Sequence, residues 1–305
     1  MNLSIIIPTY NAQNYLPKLL DSLKKQTFKD FELIIIDSSS KDKTVEIAKK
    51  YTDKIIVIPQ NDFDHGGTRA KAAQLAKGNV LVFLTQDALP YNEYTIDNIG
   101  TPFFKDPKIG AAYGRQIPYE DTNLFGKHLR LFNYPEKGYI YSYKDKEKKG
   151  IKTAFLSDSF AAYRKEVLEK IGWFKNGLIV GEDIYAGARI LKLGYKIVYI
   201  SDAKVYHSHS YTVWQEFKRY FDIGVFHRSE NWIIEEYGKA EGEGLKYIKS
   251  EINYLLKNNK WELLPEFFVR NGMKYIGYKL GYNYEKLPLF LIKKLSMHKN
   301  WWYKK

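Results

Sequence analysis

LSIIIPTYNAQNYLPKLLDSLKKQTFKDFELIIIDSSS, residues 3–40, sets two short β-branched runs, LSIII (3–7) and FELIII (31–36), on either side of a stretch with helical spacing. The runs are continuously apolar rather than alternating, which suits strands buried on both faces. Between them Leu16, Leu19, Leu20 and Leu23 mark one face of a helix. Asn14 is placed to cap it, and Pro17 falls in the first turn, where no amide partner is lost. The alternation continues outward: KIIVI (54–58) and VLVFL (80–84) are two further strand candidates, and Lys43–Lys50 and Thr68–Lys77 two further helices. The order β-α-β-α-β-α-β predicts an α/β fold, a mostly parallel, doubly wound sheet with right-handed crossovers. In such sheets ligands bind beyond the carboxyl ends of the strands.

Polar clusters stand at those ends. Pro8-Thr9-Tyr10-Asn11 follows the first strand, Asp37-Ser38-Ser39-Ser40 the second, NDFDHGGTR (61–69) the third and Thr85-Gln86-Asp87 the fourth. Each has a plain structural reading. Asp37 before three serines starts a turn, Asp87 caps a helix, and Gly66-Gly67 marks a tight bend. Four such clusters at strand carboxyl ends together point to a joint ligand site.

The 305 residues suffice for one large domain or two modest ones, and a 45% hydrophobic content supplies a core. Lysine and arginine outnumber aspartate and glutamate by 48 to 35, a net +13 that favours polyanions, phosphorylated small molecules or an anionic membrane surface. The absence of cysteine excludes disulfides, thiolate metal sites and a cysteine nucleophile, and fits a reducing compartment. MNLSIIIPTYN lacks the basic and long apolar regions of a signal peptide, and no apolar run approaches a bilayer span. The expected location is cytoplasmic, with peripheral attachment to the cytoplasmic face of a membrane.

SIIIPTYNAQNYLPKLLDSLKKQTFKDFELIIIDSSSKDKT (4–44), TQDA (85–88), GEDIYAGARILKLGYKI (181–197) and AKVYHSHSYT (203–212) occur in that order. The set resembles family 2 glycosyltransferases, inverting enzymes with the A-type nucleotide-sugar (GT-A) fold, over roughly residues 1–215. The pair FDHGGTR and TQDA resembles a narrower group that transfers L-rhamnose from dTDP-rhamnose.

The resemblance implies a catalytic domain over 1–212 and a helical, basic-aromatic extension over 213–305. It implies donor contacts from Thr9, Tyr10, Asp37, Asp64, His65, Gly67, Arg69, Gln86 and Asp87. Thr9 and Asp37 match residues holding nucleobase and ribose, and Arg69 an arginine of the nucleotide pocket; a carboxylate accepts an imide N–H and a guanidinium pairs with anionic oxygen. NDFDHGGTR becomes the donor-side loop, its glycines permitting close backbone approach. Asp87 matches the last acid of an Asp-x-Asp signature that holds a divalent cation, Mg²⁺ or Mn²⁺, but Thr85 stands at the first acidic position. The metal ligands implied are Asp87 with His207, and His209 beside it; in an extended segment the two histidines face one side. Both also read as hydrogen-bonded surface residues. Glu182-Asp183 resembles the family's Glu-Asp motif, with Asp183 the general base and Glu182 an orienter or acceptor contact, although acids also favour a helix start on their own. Asp158 and Arg164, in FLSDSFAAYRKEVLEKIGWF (155–174), are placed on the acceptor side.

Residues 118–152 show no period and contain KDKEKKG, which reads as an insertion or mobile loop that shapes acceptor choice or is simply solvated. Val213, Phe217 and Tyr220, with Trp214, Phe221 and Val225, recur at helical spacing and read as packing. KLPLFLIKKLSMHKNWWYKK (286–305) holds six lysines, no acid and paired tryptophans, which suits either a segment lying on an anionic inner leaflet or a helix docked on the enzyme. The function expected is sugar transfer, L-rhamnose from dTDP-rhamnose or a hexose from a UDP-sugar, to a hydroxyl of a glycan or lipid-linked glycan in surface polysaccharide synthesis. Rivals of another class are a non-catalytic sugar- or membrane-binding module and a nucleic-acid-binding protein; no nucleic acid partner is expected.

Overall fold

The computed structural model describes residues 2–239 and 242–303. Nine strands form one sheet: β1 (Leu3–Thr9), β2 (Phe31–Asp37), β3 (Ile55–Val57), β4 (Val80–Leu84), β5 (Leu89–Pro90), β6 (Ile109–Ile117), β7 (Tyr139–Tyr141), β8 (Phe160–Arg164) and β9 (Lys196–Tyr206). The order is β3-β2-β1-β4-β8-β6-β9-β5, with β7 also on β9. The first four strands are parallel neighbours, as their apolar runs predict. β8 enters reversed between β4 and β6, β9 pairs parallel with β6, and the short β5 and β7 pair antiparallel with β9. One edge of the sheet therefore gathers the carboxyl ends of β1–β4, β6 and β9 and the amino end of β8.

Burial on both faces follows the period of two. Ile6, Ile34, Ile36, Leu81 and Phe83 enter one core cluster, and Ile5, Ile7, Ile35, Val80, Val82 and Leu84 the other. The helix Leu16–Lys24 buries the four expected leucines, with Pro17 in its first turn. Its cap position is Tyr15, without a side-chain bond, so Asn14 is not the cap.

The helix after β3 spans His65–Leu75 and begins three residues earlier than its spacing suggests, inside HGGTR. Asp64 caps it, accepting from the Gly67 N–H at 2.7 Å. Glycines are poor helix formers, but here they are steric necessities. A Cβ on Gly66 would stand 2.0 Å from the Lys175 carbonyl oxygen, and one on Gly67 2.4 Å from Asn176 Oδ1. The close backbone approach expected of these glycines is thus to the segment 175–176 rather than to a ligand.

Residues 118–152 are built into the fold. The helix Leu124–Asn133 is capped by Asn123 and buries Phe125 and His128, and β7 follows it. After Thr212 the described chain is helical: Val213–Ser229, Asn231–Tyr237, Glu243–Lys257, Leu264–Tyr282 and Leu289–Leu295. Phe217, Phe221, Val225, Ile292, Leu295 and Trp302 share one apolar cluster with the sheet.

Candidate active site

Thr9, Tyr10, Asp37, Gln86, Asp87, Asp158, His207 and His209 all fall at the gathered edge. Thr9 and Asp37 are buried, and Thr9 Oγ1 donates to Asp37 Oδ2 at 2.9 Å. Ser40 gives the same carboxylate its backbone N–H and its hydroxyl, at 2.8 and 2.6 Å. Asp37 thus realises its turn-starting role, and beside it Ser38, itself buried, and the exposed Tyr10 line the large cavity. The Tyr10 N–H donates to Gln86 Oε1 at 2.8 Å and its hydroxyl accepts from Gln60 Nε2 at 2.7 Å, tying together the loops after β1, β3 and β4.

Asp87, His207 and His209 form a cluster of potential metal ligands, one atom from each lying within 4.8 Å of the others. His207 Nε2 is 3.5 Å from Asp87 Oδ1, and His209 Nε2 3.9 Å from Asp87 Oδ2. His207 Nδ1 lies 2.8 Å from Gln116 Oε1, whose amide nitrogen donates to Ser157 Oγ. Facing a carbonyl oxygen, Nδ1 carries the proton, which leaves Nε2 with a lone pair toward Asp87. Burial holds both histidines down, His209 to about 4 with help from His207. Burial would push Asp87 up, but its neighbours His207 and Thr85 outweigh it and hold the carboxyl well below the usual range. Two neutral imidazoles beside an ionised carboxylate are in the protonation states that metal ligation needs. The residues present therefore fit a divalent cation even with Thr85 in place of an acid.

A second cluster surrounds Arg69. Gly181, at φ 83° with its Cα against the Phe226 ring, starts the helix Glu182–Lys192 and puts Glu182 and Asp183 in its first turn. Arg69 NH1 is 3.1 Å from Glu182 Oε1, and Arg69 Nε 3.4 Å from Asp158 Oδ2. Arg69 also donates to the His65 carbonyl oxygen at 2.9 Å. It is buried and paired with carboxylates inside the protein. Tyr163 donates to Asp158 Oδ1 at 2.6 Å. Asp183 accepts from the Ile184 N–H at 2.8 Å and remains part-exposed. Burial, then Glu182 and Asp158, pushes the Asp183 carboxyl well up, with Arg69 opposing; burial likewise raises Asp158 to about 7 against Arg69. A carboxylate so raised is a stronger base than an exposed one.

Arg164 does not belong to this edge. It pairs with Val80, at the start of β4, and its guanidinium donates to the carbonyls of Ile109, Phe103 and Asp106. Because β8 runs antiparallel to β4, Asp158 and Arg164 sit at opposite ends of the sheet, and the acceptor-side expectation for Arg164 is corrected. Gly67 faces Asn176 and gives its N–H to Asp64. Asp64 closes the same structure by accepting from the Gly177 N–H at 3.0 Å.

His65 and Asp64 line a cavity of about 910 Å³ together with Tyr10, Ser38 and Gln60. His65 is held at about 4 by burial and by Arg69, and its Nε2 is buried without a hydrogen-bond partner. Opposite stand residues from the end of the chain, among them His298 and Lys299. The tail, which suits either a membrane surface or docking on the enzyme, contributes to this cavity: Trp302 is buried and Trp301 Nε1 donates to the Gly177 carbonyl oxygen at 3.1 Å. Lys304 and Lys305 lie outside the described residues. A further cavity of about 410 Å³ opens beside Gln86, Asp87 and His209, bounded by Tyr15 and Tyr119.

Sequence reasoning missed Gln116, Arg130 and Arg219. The Arg130 Nε is buried without a hydrogen-bond partner, and burial lowers its guanidinium. Arg219 is exposed, and its charge adds to burial in holding down His65, His207, His209 and His298. An Asn123 cap followed by Phe125, Leu129 and Phe132 at helical spacing was a legible signal for the helix that carries Arg130; nothing in sequence distinguishes Arg219 from solvated basic residues.

The family described as glycosyl transferase family 2 matches residues 4–172. The chain is 44% identical over 304 residues to the O-antigen chain rhamnosyltransferase RfbN of Salmonella typhimurium, covering 99% of this chain and 96% of that protein. It is 45% identical over 301 residues to the O-antigen chain rhamnosyltransferase WbaN of Salmonella anatum, covering 98% and 95%. Among solved structures, the mannosyltransferase PcManGT from Pyrobaculum calidifontis, in complex with GDP-Man and Mn²⁺, superposes with a TM-score of 0.65 at 16% identity, over 94% of this chain and 88% of that one. At that identity the likeness establishes the fold, which is GT-A.

Proposed function

The chain belongs to glycosyl transferase family 2, and from that premise we propose that it is an inverting rhamnosyltransferase of O-antigen polysaccharide synthesis. It moves L-rhamnose from dTDP-rhamnose onto a hydroxyl of a glycan or lipid-linked glycan at the cytoplasmic face of a membrane. The observation that carries this reading is the gathering, at one sheet edge, of a metal-ligand cluster and of the Glu182-Asp183 pair, whose Asp183 lies against the Asp158 N–H at 3.4 Å. The sugar is chosen on the nearly full-length similarity to two O-antigen chain rhamnosyltransferases.

In this reading Asp183 takes the proton of the acceptor hydroxyl as its oxygen attacks the anomeric carbon. The bond from that carbon to the diphosphate breaks on the opposite side, and dTDP departs. Arg69 holds Asp158 and Glu182 beside the base and keeps three acids from sharing the site unneutralised. Arg219, whose charge acts on the histidines of both the metal-ligand cluster and the large cavity, meets the departing charge together with Arg130. Asp87, His207 and His209 would hold a divalent cation that offsets the same charge. Two imidazoles and one carboxylate suit Mn²⁺ better than Mg²⁺, which prefers oxygen ligands.

No described helix is long and apolar enough to cross a membrane. The helix Leu264–Tyr282 exposes Phe268, Val269, Tyr275 and Ile276 on one side, and Leu289 and Phe290 are exposed nearby in sequence. With Lys279 on the same helix side, these residues support peripheral contact with anionic lipid.

The experiment is a donor-binding screen with Mn²⁺ over dTDP-rhamnose, UDP-glucose, UDP-galactose and GDP-mannose. The tightest binding is expected for dTDP-rhamnose. A clear preference for a UDP-hexose overturns the donor and supports a hexosyltransferase on the same fold.

A further inference from the structure

After the helix Leu289–Leu295 the chain turns at Ser296, which is fully buried, and Met297–Tyr303 runs along the large cavity opposite Tyr10, Ser38 and Gln60. Three anchors hold it there. Asp222 Oδ2, fully buried on the helix Val213–Ser229, accepts the backbone N–H groups of Met297 at 2.9 Å and His298 at 3.2 Å. Trp302 is buried in the main apolar cluster. Trp301 bonds to the Gly177 carbonyl, just before Leu178 and Ile179, which also line the cavity. The His298 ring then meets the His65 ring edge-on at 5.0 Å, joining the end of the chain to the donor-side loop.

A carboxylate buried in a helix is costly unless its oxygens are satisfied. Asp222 is held to this segment through Oδ2, which accepts the two N–H groups with the Ser296 side chain beside it, while Oδ1 is buried without a hydrogen-bond partner among the described residues. At the rim, Lys299 is exposed and forms no ion pair among the described residues. The wall thus offers an uncommitted cation beside an apolar surface of Met297, Leu178 and Ile179, on the side of the cavity facing the loops after β1, β2 and β3.

We propose that Met297–Tyr303 is an integral wall of the donor site, closing it over a nucleoside diphosphate sugar, and that Asp222 is the positioning residue that holds the wall in register. Lys299 meets the diphosphate oxygens, and Met297 extends the apolar face against which the donor packs. The proposal rests on the reading of the donor as a nucleotide sugar.

The test uses full-length protein with Mn²⁺ and compares Met297→Ala/Lys299→Ala, Asp222→Ala and Asp222→Asn with the unmodified chain. KM for the donor, kcat and thermal melting are measured with dTDP-rhamnose and with UDP-glucose. Loss of a charge-assisted contact and an apolar one should raise the donor KM about tenfold or more in the double variant, with kcat and melting little changed. Asp222→Ala should raise KM likewise, and Asp222→Asn, whose amide oxygen still accepts both N–H groups, should restore most of it. A folded double variant with a donor KM within about twofold of the unmodified chain overturns the proposal, because such a change is under 0.5 kcal/mol. If the unmodified chain uses UDP-glucose instead of dTDP-rhamnose, the donor assignment fails, and the same KM comparison with UDP-glucose still decides on the wall. If Asp222→Ala does not fold, the double variant, which alters only the rim, carries the test alone.

Discussion

Thr85 stands where a second acid would reinforce Asp87, and in the proposed metal site two histidines stand beside the one carboxylate. Gln116 fixes the His207 tautomer and burial keeps both imidazoles neutral, so the proposed site offers three ligands with one carboxylate. The Glu-Asp pair divides its labour just as clearly. Glu182 is buried against Arg69, whereas Asp183 is part-exposed and strongly raised. Asp183→Asn keeps the shape of the site but cannot accept the hydroxyl proton. Transfer should fall about 100-fold or more while donor affinity stays nearly unchanged, as measured by single-turnover kinetics and calorimetry. Glu182→Gln weakens a buried charged contact instead, and should lower stability by about 1.5–3 kcal/mol in a denaturant melt. Near-normal transfer by Asp183→Asn with abolished transfer by a stably folded Glu182→Gln would exchange the two roles.

At the scale of elements, the first four strands and their leucine-faced helix were legible because burial on both faces leaves continuous apolar runs and a period of 3.6 between them. The carboxyl-edge position of Asp87 followed from that pattern. Arg164 did not, since its place depends on β8 running backwards, and no local pattern in FAAYR encodes direction. Gly66 and Gly67 read as a loop because their reason lies in the neighbouring segment 175–176, more than a hundred residues away in sequence. The tail's composition suits both a membrane surface and docking on the enzyme, and sequence alone does not choose; Trp302 is buried and the segment borders the large cavity, as docking has it. The exposed apolar side chains that suit lipid lie instead at Phe268, Ile276, Leu289 and Phe290. Changing these four to serine should weaken binding to phosphatidylglycerol vesicles about tenfold or more, an effect expected from lost apolar burial, while donor hydrolysis is unchanged. Equal vesicle binding by the folded variant would reject lipid contact through this surface.

For the molecule as a whole, the reversed β8 brings Asp158 to the same edge as the parallel strand ends, and the helices after Thr212 bring Arg219, Asp222 and the end of the chain over it. The proposed site thereby draws on both halves of the sequence: Asp87 and the donor-side loop from the first, Asp183, His207, Arg219 and Lys299 from the second. A net charge of +13 finds a local use in the basic groups around a site that must accommodate a diphosphate. The most direct measurement is turnover of dTDP-rhamnose with Mn²⁺, followed by nuclear magnetic resonance of the product and repeated with excess chelator. The account predicts dTDP release and a rhamnoside of inverted anomeric configuration, with both lost in chelator and restored by Mn²⁺. Undiminished transfer in chelator, or a product that retains the donor's configuration, would contradict it.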